Sequence, residues 1–217
     1  MKTLMFTFAF TAALFATKAQ TNDRFQTAMQ AALGNLYKSY GTMKIEDFQA
    51  TANQFERIGA VETKEWLPNY WASYCYVFVA SLPSTPQGDK DKLVDKAESF
   101  LTKAISLTPD NDELQVMTAY IAQTRLAIDP MNRWQTALPV QQAALAKAKE
   151  MNAENPRISM LEGVGLYYTP EQFGGGAKVA CPILKNSVEK YAKFKPASAI
   201  HPNWGEAFVK QLAGKCE

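Results

Sequence analysis

The chain has 217 residues, 47% of them hydrophobic and 20% charged, values of a folded globular protein that exclude wholesale disorder. Its 23 Lys and Arg against 21 Asp and Glu leave a net charge of +2, and the length suits one domain with a full core. Lys2, the apolar run Leu4 to Phe15, and small residues at Thr17 and Ala19 predict a secretory signal peptide over residues 1–19, with residues 20–217 as the folded domain. That leader carries Lys2 and Lys18 and no acid, so the positive excess leaves with it and nucleic acid is excluded as a partner. No other stretch approaches the roughly 20 apolar residues of a membrane span.

Taken in order, the remainder predicts helices. The first runs from Asn22 to Tyr40 on the stripe Phe25, Met29, Ala32, Leu33, Leu36 and Tyr37, and Gly41 stops it. The second, Ile45 to Ala60, opens with Glu46 and Asp47 at the positive end of the helix dipole. A third begins near Glu65, tolerates Pro68 in its first turn and reaches Leu82. Pro83, Pro86 and Gly88 make a loop before the fourth, Asp89 to Leu107, with Asp89 as its N-cap. The fifth spans Asp112 to Ile128. The sixth covers Arg133 to Met151, starting near Leu138 or kinked at Pro139. Pro156 to Tyr168 and Ala177 to Lys193 are the seventh and eighth, and Asn203 caps a short ninth, Trp204 to Leu212. The expected fold is all-α: a solenoid of about four antiparallel helix pairs plus a C-terminal capping helix.

The spacing carries a resemblance. Trp71, Tyr74, Cys75 and Phe78 match the first helix of a tetratricopeptide repeat, and Ala97, Leu101, Ala104 and Pro109 match its second. Leu161, Val164, Gly165 and Tyr168 repeat the first set, followed by Ala180, Leu184 and Ser187, and Leu33, Gly34 and Tyr37 carry part of it. The chain resembles a degenerate tetratricopeptide protein, departing from it in a loop about ten residues longer than the usual unit of 34 allows. Residues Tyr167 to Gly176 are also similar to a segment of the T-component associated with TRAP transporters, a resemblance that implies a helical shell around a small, apolar ligand. By the repeat family's pattern the concave surface takes Asn35, Lys38, Asn69, Ala72, Tyr76, Val79, Gln115, Ala119, Glu162 and Leu166, with Tyr76 the leading contact.

No catalytic or metal constellation emerges. Gly174-Gly175-Gly176 lacks the strand and the Gly-Lys-Ser/Thr ending of a phosphate loop, and reads as a flexible turn that lets Phe173 fold back onto the helices. His201, the single histidine, reads as a loop or capping residue. Glu46 with Asp47, and Asp110 with Asp112, suit helix starts. Pro109 to Glu113 lacks the glycine and terminal glutamate of a calcium loop. Cys75 reads as a buried hydrophobe; Cys181 and Cys216 could pair as a disulfide, a pairing that spacing does not establish. The expectation is an exported, non-catalytic scaffold without cofactor that binds a protein or peptide on its concave face. The alternative is a periplasmic carrier of a small apolar ligand.

Overall fold

The computed structural model describes residues 23–216 in full and the helical backbone from Met5; the expected leader at residues 1–19 lies outside the fully described residues. Among the described residues the chain forms nine α-helices and no strand: α1 (Met5–Thr42), α2 (Ile45–Val61), α3 (Leu67–Ser81), α4 (Gln87–Leu107), α5 (Asp112–Ile128), α6 (Pro130–Met151), α7 (Pro156–Tyr168), α8 (Ala177–Lys193) and α9 (Glu206–Ala213). Consecutive helices pack as antiparallel neighbours, α1 with α2 through α7 with α8, and α9 closes on α8. The odd-numbered helices also touch one another, α3 with α5 and α5 with α7, which makes them the inner layer of a solenoid-like stack.

Local chemistry explains the boundaries. Asn111 and Asn155 cap α5 and α7, each side chain accepting the N–H two residues on (Glu113 N 2.9 Å, Arg157 N 3.1 Å). Helix α6 starts at Pro130, where a missing N–H costs nothing, and continues through Pro139. Three expectations need correction. Asp89 does not cap α4, which starts at Gln87 with Asp89 inside its first turn. Phe173 does not fold back: the turn Glu171–Phe173 leaves it 72% exposed. Gly174 (φ 83°) and Gly176 (φ 94°) supply left-handed backbone there, and the Gly176 N–H is bound to the Leu166 carbonyl at 2.9 Å. Trp204 is not helical; Gly205 (φ 103°) turns the chain into α9 one residue later.

Helices α7 and α8 approach closely where a side chain is missing. A Cβ on Gly163 of α7 would stand 2.8 Å from Leu184 Cδ2 of α8, whereas one on Gly34 of α1 would meet open space. Cys181 of α8 and Cys216, just beyond α9, are joined as a disulfide, and Cys75 is a buried free thiol whose pKa burial pushes up.

Gly163→Ala should therefore cost about 1–3 kcal/mol in urea unfolding by overpacking, while Gly34→Ala should add about 0.5–1 kcal/mol; equal effects would sink the packing assignment. Thiol titration in denaturant should find one reactive cysteine before reduction and three after.

Candidate functional site

The inner face is built from aromatic rings. Tyr70, Tyr74 and Phe78 recur on α3 at the spacing that brings side chains to one face. The Tyr40 hydroxyl from α1 meets that of Tyr74 at 2.6 Å, and the Tyr120 ring from α5 lies 6.3 Å from the Tyr74 ring. The segment between α8 and α9 then crosses this face. The Trp204 ring sits 5.0 Å from Tyr74 and 5.4 Å from Tyr120, and its Nε1 donates to the Tyr70 hydroxyl at 2.7 Å. The Ile200 carbonyl accepts from Trp71 Nε1 (2.9 Å), Trp204 O accepts from Tyr191 (2.8 Å), and Asn203 Oδ1 accepts from Tyr37 (2.9 Å). A side chain at Gly205 would collide with Tyr191 and with Met160 Sδ (2.6 Å), so the crossing requires glycine there.

Charge is buried beneath it. Arg157 is fully enclosed and donates from Nε (3.0 Å) and Nη2 to the Glu113 carboxylate; Asn155 adds a donor to Glu113 at 2.8 Å. The guanidinium lies 4.7 Å from the Phe194 ring and 5.7 Å from that of Trp204, with Nη1 lacking a hydrogen-bond partner among the described residues. Burial raises Glu113 above its ordinary value, offset by Arg157; burial alone would lower Arg157, and the facing carboxylate overrides it. Burial also raises the phenols, Tyr40, Tyr70 and Tyr74 strongly and Tyr120 to about 12, so they act as neutral donors and ring faces. His201 is a loop residue, its Nδ1 2.7 Å from Ser198 Oγ and its pKa lowered by burial.

On the outer side the interval between α4 and α6 is clamped shut. Arg133 of α6 grips both oxygens of Asp91 of α4 (2.6 and 2.9 Å), and next to this clamp Arg125 of α5 holds Asp95 (2.9 Å) and Glu98 (2.8 Å) of α4. The intervals on either side stay open. Between α2, α3 and α4 lies a cleft of about 390 Å³ with Tyr76 in its floor, Ile45, Pro86 and Leu93 as apolar walls, and Lys92 and Lys96 at its edge. Tyr76 donates to Glu56 Oε1 at 2.5 Å, and Lys96 donates to the Tyr76 hydroxyl at 2.5 Å, reaches Glu56 at 3.0 Å and stands 4.2 Å over the phenol ring. Burial, then the Glu56 hydrogen bond, raises the Tyr76 pKa. A smaller cleft of about 270 Å³ lies between α6, α7 and α8.

The seven residues expected on one concave surface are not brought together. Asn35 donates to Gln54 of α2 at 2.9 Å, Asn69 lies where Gly59 of α2 approaches, and Lys38 is exposed. Gln115 and Leu166 are half-buried, and the Leu166 carbonyl is spent on Gly176. Tyr76 lines the larger outer cleft and Glu162 the smaller, while Ala72, Val79 and Ala119 are buried. The physical reason is a rotation of α3: Tyr70, Tyr74 and Phe78 take the inner side, which turns Tyr76 outward to α2 and α4. Sequence reasoning missed Lys96, Trp204 and Arg157. Arg157 left one signal, a cation in the first turn of a helix, where the dipole disfavours it unless a carboxylate answers.

No family model matches the chain, and no curated protein matches it. Among solved structures it is similar to the HusA haemophore from Porphyromonas gingivalis, at 34% identity and a TM-score of 0.76, over 89% of this chain and 92% of that one.

Replacing Trp204 with Phe keeps a ring but strands the buried Tyr70 hydroxyl. Urea unfolding should show a loss of about 1–3 kcal/mol, and an unchanged midpoint would mean the indole N–H holds nothing.

Proposed function

The chain belongs to the family of the HusA haemophore, and from that premise we propose that it is a carrier of a flat, apolar, carboxylate-bearing small molecule of the haem class. The reading takes the chain as exported, its leader at residues 1–19 removed, and as non-catalytic. The observation that carries it is the Tyr76 cleft. Its volume of about 390 Å³ falls in the range of small-molecule sites, and it pairs apolar walls with a few fixed polar groups. Ile45, Pro86, Leu93 and the Tyr76 ring offer apolar contact to a macrocycle, and Lys92 and Lys96 stand where its carboxylates would emerge. Both lysines rest on acids at the surface, Lys92 on Asp89 at 3.4 Å and Lys96 on Glu56 at 3.0 Å. Such exposed pairs are worth about 0–1 kcal/mol and exchange readily for a ligand's carboxylate. Burial and the hydrogen bond to Glu56 raise the Tyr76 pKa, so the residue offers a ligand a neutral ring face and a hydroxyl.

A tetratricopeptide-like scaffold that takes a peptide on its inner face is the weaker reading, because Trp204, Ile200 and Asn203 already lie across that face.

Haem titration followed in the Soret band tests the carrier reading. Tyr76→Ala should weaken binding about tenfold to a hundredfold, the loss of one buried ring. Lys96→Met should weaken it less and flatten its dependence on salt. Wild-type affinity in a folded Tyr76→Ala variant would remove this cleft as the carrier site.

A further inference from the structure

The smaller outer cleft has its own chemistry, and it goes beyond the carrier site. It occupies the corresponding place in the stack two pairs along, floored by α7 as the Tyr76 cleft is floored by α3. It is separated from that cleft by the clamped α4–α6 interval. We propose that this cleft is a second binding site, selective for a small monocarboxylate with an apolar tail.

The chemistry runs along the groove. Near the start of α7, Lys190 of α8 donates to the Ala153 carbonyl, a neutral acceptor that fixes the ammonium without cancelling its charge. Lys149 of α6 lines the same cleft. Among the described residues neither lysine has a carboxylate partner, in contrast to Lys92 and Lys96 of the larger cleft. Midway, Ser159 donates to Asn186 Oδ1 at 3.2 Å, which joins α7 to α8 and leaves the amide N–H₂ of Asn186 as a further donor. Ile158 and Ile183 provide apolar wall, and Glu162 is the one acid in the lining. Two ammonium groups against one carboxylate give the cleft a net positive charge. That charge attracts a single anionic head, and the isoleucines offer a place for its tail. A volume of about 270 Å³ suits an acid of modest length and is small for a macrocycle.

Octanoate, octylamine and octanol are the probes, read by isoleucine methyl NMR on the full chain. Ile158 and Ile183 report this cleft and Ile45 reports the Tyr76 cleft. Octanoate should move Ile158 and Ile183 saturably, octylamine should not, and octanol should bind at least about tenfold more weakly. The surface variant Lys149→Gln/Lys190→Gln should lose about tenfold in octanoate affinity while its haem titration stays that of the wild type. Equal binding of the three probes, shifts confined to Ile45, or unchanged octanoate affinity in the variant would overturn the proposal. A variant that loses haem and octanoate together would overturn it as well, by merging the two clefts. Because the octanoate readout needs no haem, failure of the carrier reading leaves this test intact.

Discussion

The closure of the inner face by Trp204 is the contact on which the rest of the arrangement depends. Its indole joins α3 and α5 through Tyr74 and Tyr120, bonds to Tyr70, and covers the guanidinium of Arg157. Arg157 in turn ties the start of α7 to the start of α5 through Glu113. An enclosed cation is tolerable only when paired, and here a carboxylate and two ring faces share that work, the carboxylate itself held by the Asn155 amide. The disulfide between Cys181 and Cys216 holds the segment after α9 to α8. The helix pairs therefore form a closed body with its inner side spent on itself.

That closure leaves the open grooves on the outer side. Each outer interval between helix pairs is a potential groove, and its fate depends on which charges face across it. The Arg133–Asp91 pair shuts the α4–α6 interval, and Arg125 of α5 braces the same stretch of α4 through Asp95. Apolar and lysine-bearing walls leave the intervals beside it open. One architecture thus presents two clefts of different size and charge, separated by an ion-paired seam.

Much of the fold was legible because helical periodicity is local. The nine helices, their order and their pairing follow from apolar spacing and from Pro and Gly, whereas the caps at Asn111 and Asn155 came only with the structure. The candidate site was less legible. Helix α3 is buried on nearly every side, from Leu67 to Ala80, so its sequence has no polar face to say which way Tyr76 points. A repeat pattern supplied a phase in place of that signal, and the packing of Tyr70 and Tyr74 under Trp204 set another.

By itself, then, the sequence determined an all-α chain of paired helices with Cys75 inside, because propensity and period act within a few residues. It also marked Tyr76 as a residue to watch. Only the tertiary structure decided that Cys181 bonds Cys216, that Trp204 fills the inner face, and that Lys96 and Glu56 meet Tyr76 in an outer cleft. Those outcomes depend on the rotation of each helix about its axis and on charges tens of residues apart. Both are set when the layers pack together, and neither is written in the spacing of any one segment.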